Sequence, residues 1–199
     1  MGSRDQALVV KVGGSLFSEA GRIAQVLAEA GRPILVVPGG GPFAHLVRSM
    51  RIPDEQAHWM AILAMDQFGW YLAAGGFPVT HDLALPRRME ILLPYRVMHE
   101  RDPLPHTWDV TSDTIAAWVA NEIGLDLLIL KSVDGITREG ELVSRISEPQ
   151  VAGEVDPCLV PFALANRVRT TILNGRVEGR ISDFLEGREV RGTVIEPRL

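Results

Sequence analysis

The sequence predicts an α/β fold in which a parallel sheet is joined by crossover helices. Short apolar runs alternate with segments of helical periodicity from one end of the chain to the other, the pattern of strands linked through helices. Several runs end in glycine-rich turns, as strands do when they exit a sheet toward a ligand. At 199 residues, 46% hydrophobic and 23% charged, the chain suits one ordinary globular domain with a sizeable core. There are no internal repeats, low-complexity tracts or linkers.

Strands are predicted at 7–12, 33–37, 77–80, 90–93, 126–131, 170–173 and 193–195, and helices at 18–30, 42–50, 53–75, 112–123, 160–166 and 177–186. Pro42 suits the first turn of the second helix. The third has apolar residues on nearly every face and reads as buried, with Trp59, Met60, Met65, Phe68, Trp70 and Tyr71 mostly core, and Gly75-Gly76 stops it. Between Pro86 and Trp108, four prolines mix with Arg87, Arg88, Arg96, His99, Arg101 and His106. That composition suits an irregular polar loop, either over a site or as a solvated connector. Thr111 and Ser112 are good N-caps for the helix at 112–123, with Asp113 favourable in its first turn.

Composition narrows the function. A net charge of −5 argues against a nucleic-acid partner and requires any phosphate site to be locally basic. The single cysteine, Cys158, leaves no disulfide framework and no zinc spacing, and reads as a half-buried structural thiol. No stretch is long and apolar enough to span a bilayer, and the start of the chain lacks a signal-peptide pattern. The expectation is a cytoplasmic enzyme.

Only two of the twenty basic residues are lysine. Lys11 ends one apolar run and opens Lys11-Val-Gly-Gly-Ser15; Lys131 ends another and opens Lys131-Ser-Val-Asp-Gly135. An ammonium is a compact charge suited to a phosphate oxygen in a tight backbone turn. Gly13 and Gly14 let backbone N–H groups approach an anion, and Ser15 adds a hydroxyl. The lysine precedes the glycines, so this is not the Walker arrangement. A second strand ends in Gly39, Gly40 and Gly41, three successive glycines that a turn alone does not require. His45 follows on the next helix, where it can point back toward that loop. Asp109 and Asp113 bracket the cap at Thr111, where a carboxylate can orient lysines or take part in a magnesium site. Asp134-Gly135 and Asn174-Gly175 are turns in any reading.

Taken in this order, the segments resemble the amino acid kinase family. Its lysine-Gly-Gly opening, Gly-Gly-Gly loop, Asn-Ala-Asp-Thr-like segment and Thr-Asp-Val-Asp-Gly-like loop correspond to Lys11-Val-Gly-Gly-Ser15, Gly39-Gly-Gly41, Thr111-Ser-Asp-Thr114 and Lys131-Ser-Val-Asp-Gly135. The resemblance spans the chain. It implies a three-layer αβα sandwich with an open, mostly parallel central sheet, an amino-terminal acceptor lobe of about 1–107 and a nucleotide lobe of about 108–199. It also implies ATP and Mg2+, with Lys11 stabilising the transferring phosphoryl, Asp113 holding that lysine, and Ser132, Asp134, Gly135 and Ile136 beside the nucleotide.

Many relatives carry a second catalytic lysine after the nucleotide loop, and this chain has none after Lys131. Lys131 is therefore the candidate to supply that charge. Gly39-Gly-Gly-Pro-Phe-Ala-His45 resembles the stretch in isopentenyl phosphate kinases whose histidine binds the acceptor's phosphate, which implies a phosphate monoester acceptor. The segments at 58–67 and 108–113 look most like the short aminomethylfuran phosphate kinases of methanofuran biosynthesis. Such an acceptor carries a primary ammonium, for which Asp66, Asp109 and Asp102 are candidates, and a furan ring on which Trp59 or Trp108 would pack. Core packing is the alternative role for either tryptophan. An acyl-phosphate-forming amino acid kinase, an isopentenyl phosphate kinase and a non-catalytic nucleotide-binding protein are the competing readings. The apolar helix at 53–75 also suits a homo-oligomer contact.

Overall fold

The computed structural model describes residues 6–197. Its centre is an eight-stranded sheet in the order β3-β4-β2-β1-β5-β9-β10-β8. These strands are β1 (Leu8–Val12), β2 (Ile34–Pro38), β3 (Val79–Thr80), β4 (Met89–Leu92), β5 (Leu127–Lys131), β8 (Arg145–Ile146), β9 (Thr170–Asn174) and β10 (Thr193–Ile195). Neighbours pair in parallel throughout, apart from the antiparallel β9–β10 pair. A separate small hairpin joins β6 (Thr137–Arg138) to β7 (Glu141–Leu142). Each predicted strand is present within two residues, and the two-residue strands β6 to β8 are additional. They are too short to carry a periodic signal.

The helices are α1 (Ala20–Glu29), α2 (Gly41–Ser49), α3 (Asp54–Ala73), α4 (Tyr95–Arg101), α5 (Ser112–Ile123), α6 (Leu159–Ala165) and α7 (Arg180–Leu185). A 3-10 turn, Gly14–Glu19, precedes α1. The strands are buried on both faces, so two core clusters form, one on each side of the sheet. Val9, Leu35, Val37, Leu127 and Ile129 face α5 and α6. Their neighbours Val10, Val36, Leu128 and Leu130 face α1 and α7. That is the period-2 alternation of a strand serving two layers of helices, and it gives the three-layer sandwich. Among the described residues no helix is long and apolar enough to cross a membrane.

Two expectations change. The stretch between Pro86 and Trp108 is not wholly irregular, because it holds α4, with Pro94 at its N-cap position. The Asp66 carboxylate accepts a hydrogen bond from the Tyr95 N–H at 3.0 Å, satisfying a donor that the start of a helix leaves free. Nor is α3 buried all round. Met65 and Phe68 are core, but Trp70 is 57% and Tyr71 49% exposed, while Trp59 packs only partly against the core.

Candidate active site

Parallel pairing brings the carboxyl ends of β1, β2 and β5 to one edge of the sheet. Both lysines and both glycine loops leave the sheet at that edge. Alternation then decides where the lysines point. Lys11 shares a face with Val9, and Lys131 shares a face with Leu127 and Ile129, so both turn toward the layer containing α5. Asp113, in the first turn of α5, meets them there.

The Lys11 Nζ donates to Asp113 Oδ1 and the Lys131 Nζ to Asp113 Oδ2, each at 2.6 Å. Lys11 is 3% and Asp113 2% exposed. Burial alone would raise the Asp113 pKa, but the charges and hydrogen bonds of the two lysines outweigh it and hold the carboxyl at about 2. Asp113 is therefore ionised, with both oxygens occupied. It positions two ammonium groups and is not available as a base.

A residue that sequence reasoning passed over sets this arrangement. Asp156 lies two residues before Cys158 and is buried. Its Oδ2 accepts the Thr111 N–H at 3.0 Å, the Thr111 hydroxyl at 2.9 Å and the Thr114 N–H at 2.9 Å, while its Oδ1 accepts the Thr114 hydroxyl at 2.5 Å. The same Oδ1 accepts the Leu159 N–H at 3.0 Å at the start of α6. Thr111 holds the N-cap position of α5 as expected, but the capping acceptor is Asp156, not the threonine side chain. The Asp156 N–H also donates to Asp113 Oδ2 at 3.3 Å. Burial, followed by the nearby Asp113 charge, raises the Asp156 pKa.

The glycine loops pack against one another. A Cβ on Gly14 would lie 2.6 Å from the Gly41 nitrogen, and one on Gly39 would lie 2.7 Å from the Gly14 nitrogen. Close backbone approach between the loops thus requires these glycines in its own right. It also leaves Gly13, Gly14, Gly40 and Gly41 lining a cavity of about 580 Å³. Lys11, Lys131, Ser15 and Thr111 border the same space. Gly39 lies behind it, against β1.

The cavity continues from the glycine loops between α2, α3 and the segment after α4. His45 and Arg48 reach it from α2, and His58, Ile62 and Met65 from α3. Trp108 closes it, with the Arg48 guanidinium 4.4 Å from the centre of its ring. This is a basic end joined to an apolar and aromatic one. Among the expected acceptor residues, His45 and Trp108 line it, and so does the α5 cap residue Thr111. Trp59, Asp66 and Asp109 do not: Trp59 donates to Glu55 at 3.2 Å, Asp66 holds the start of α4, and Asp109 is exposed outside the cavity. Asp102 pairs with His106 at 2.7 Å.

The expected nucleotide-loop residues also lie outside the cavity. Asp134 accepts from Arg180 at 2.6 Å and Arg191 at 2.8 Å, and hydrogen bonding, above all from Arg180, lowers its pKa. Ile136 is core and its N–H donates to the Thr193 hydroxyl at 2.9 Å. Gly135 is pressed against Thr193. Ser132 is half-buried at the β5 exit.

The fold is a three-layer α/β sandwich with a basic, glycine-lined cavity at the carboxyl edge of its sheet, and known kinases share that fold. The model of the amino acid kinase family matches residues 6–91. The whole chain is similar to the UMP kinase of Ureaplasma parvum, with a TM-score of 0.72 at 17% identity over 98% of this chain and 100% of that one. A uridylate kinase from Archaeoglobus fulgidus gives 0.66 at 16% identity over 94% and 98%. An isopentenyl phosphate kinase gives 0.65 at 17% over 96% and 100%. The chain is also 29% identical to the [5-(aminomethyl)furan-3-yl]methyl phosphate kinase of Methanocaldococcus jannaschii, over 90% of this chain and 93% of that protein.

Proposed function

We propose that the protein is an ATP-dependent kinase that transfers the γ-phosphoryl to a phosphate monoester, making a diphosphate, with [5-(aminomethyl)furan-3-yl]methyl phosphate as acceptor in methanofuran-type cofactor biosynthesis. The observation that carries this reading is the single carboxylate, Asp113, gripping both lysines of the chain beside two bare glycine turns. Phosphoryl transfer needs positioned charge more than covalent chemistry. The donor set suits a polyphosphate: two ammonium groups and a run of glycine backbone facing one space. Mg2+, when bound, would arrive on the nucleotide's phosphates and neutralise charge there, because it rarely occupies an all-protein cage.

The chemistry of Asp113 argues against an alcohol acceptor and leaves acceptors that are already anionic, a phosphate monoester or a carboxylate. With both oxygens engaged and its pKa at about 2, Asp113 cannot take a proton from an alcohol. A phosphate monoester needs no such base, since its second ionisation lies near pH 6 and its oxygen is already a nucleophile at neutrality. Lys11 and Lys131 would hold the phosphoryl as it passes between oxygens, and His45 and Arg48 would face the acceptor phosphate. Trp108, Ile62 and Met65 offer the apolar surface that a small aromatic ring requires.

A panel with ATP and Mg2+ tests the reading. Supplied with [5-(aminomethyl)furan-3-yl]methyl phosphate, isopentenyl phosphate and amino acid carboxylates, the enzyme should release ADP fastest with the first and form a stable diphosphate. Hydroxamate formation from a carboxylate acceptor would identify an acyl-phosphate kinase instead. ATP binding without transfer to any acceptor would identify a non-catalytic protein.

A further inference from the structure

Two groups that line the cavity are not used in the proposed phosphoryl transfer. Asp54, the first residue of α3, is the one carboxylate among the described residues that lines the cavity, whose other fully charged side chains are Lys11, Arg48 and Lys131. It forms no hydrogen bond or ion pair with any described residue. His58 lines the cavity one turn later on the same helix and is 8% exposed. Its ring stacks on His106 with centroids 4.1 Å apart and meets Trp59 edge-on at 4.8 Å. Neither ring nitrogen has a hydrogen-bond partner among the described residues. A nitrogen-bearing ring this buried, with no protein partner, normally finds one in a ligand or water.

These groups lie away from the phosphoryl end. The Gly41 turn rests against Phe68 of α3, where a Cβ on the glycine would be 3.6 Å from the ring. By helical rise, His58 and Asp54 precede Phe68 by about 15 and 20 Å along the axis. In the proposed complex the phosphoryl, the monoester and a short ring would lie between. Asp54 is solvent-exposed and about 20 Å along α3 from the glycine turn, so its charge acts only on a group placed close to it. Burial, helped by the neighbouring His106, lowers the His58 pKa to about 4, so the ring is neutral at pH 7 and offers a lone pair to an N–H donor.

We infer that Asp54 and His58 form the subsite for a primary ammonium on the acceptor, at the end of the cavity away from the glycine loops. This rests on reading the protein as a kinase of an aminomethyl-bearing phosphate monoester. It replaces Asp66, Asp102 and Asp109, which are engaged elsewhere or lie outside the cavity. Asp54 supplies the counter-charge and His58 accepts a hydrogen bond from the same group. The subsite determines specificity and takes no part in the chemical step.

Steady-state kinetics of the wild type, Asp54→Asn and His58→Gln test this, using [5-(aminomethyl)furan-3-yl]methyl phosphate and furan-3-ylmethyl phosphate, which lacks the aminomethyl group. Asp54→Asn should raise KM for the amine about 10- to 100-fold, the loss expected for a charge-assisted hydrogen bond, with kcat within about threefold. Its KM for the amine-free monoester should stay level, because a charge this far from the phosphate is screened, and that activity reports a folded enzyme. His58→Gln, which keeps a hydrogen-bonding group, should raise KM for the amine less than Asp54→Asn does. Equal effects on both acceptors, or none on either, would overturn the subsite. A wild type that uses both acceptors equally would remove it while leaving the kinase reading intact. Turnover of neither acceptor would remove the kinase reading and the subsite with it.

Discussion

Asp113 is the residue on which the proposed chemistry turns, because it is buried, ionised and shared by two cations. Replacing it by asparagine removes the counter-charge and leaves Lys11 buried without compensation. We predict that Asp113→Asn loses about 3 kcal/mol of stability, the scale for breaking a buried pair on one side, and that kcat falls about 10²- to 10³-fold. Urea titration and initial rates check the two effects separately. The pH dependence has a definite sign. The folded pKa, at about 2, is below the unfolded value of about 3.9, so the contribution is present above that value and is lost as pH falls toward 2. Stability of the wild type should therefore drop more steeply than that of Asp113→Asn between pH 4 and 2. Lys11, Lys131 and Asp113 are all legible as candidates in the sequence, from strand ends and a helix start. That one carboxylate spans both lysines is not, because it depends on the register of β1 and β5 beneath α5.

At the scale of elements, α5 begins where a distant carboxylate tells it to. Asp156 caps the first turn of α5 and that of α6, and its own N–H reaches Asp113. Asp156→Ala should leave the Thr111 and Thr114 N–H groups without an acceptor, and a loss of about 2 kcal/mol in urea denaturation is expected. The same change should lower kcat by displacing Asp113, with little effect on KM for the acceptor; an unchanged kcat would separate the cap from the lysine bridge. The bounds of α5 are readable because Thr111, Ser112 and Asp113 are local signals at its start. Asp156 is unreadable as their partner, since nothing local links it to residues over forty positions away. The helix α4 escapes notice for a different reason. Prolines and arginines mark its surroundings as loop, while the donor at its start is satisfied by Asp66 from α3. Periodicity also fails in α3, which gives Ile62 and Met65 to one core cluster and Phe68 and Leu72 to the other.

Across the whole molecule, a parallel sheet with cores on both faces presents its carboxyl edge to ligands. The order of strands could be anticipated in outline because the apolar runs are compact and their glycine exits are plain. Which exits face each other required the pairing of β2, β1 and β5. That pairing joins the two lysines, the two glycine turns and the cavity beneath Trp108 into one proposed phosphoryl-transfer site. Within it, Lys131 is the proposed source of the second phosphate-binding charge. The most direct test is the single-turnover rate of phosphoryl transfer in Lys131→Ala, with ATP and acceptor saturating. A fall of about 10²- to 10³-fold is predicted, the scale for removing one positioned charge from a transition state. A rate within about threefold of the wild type would contradict the account.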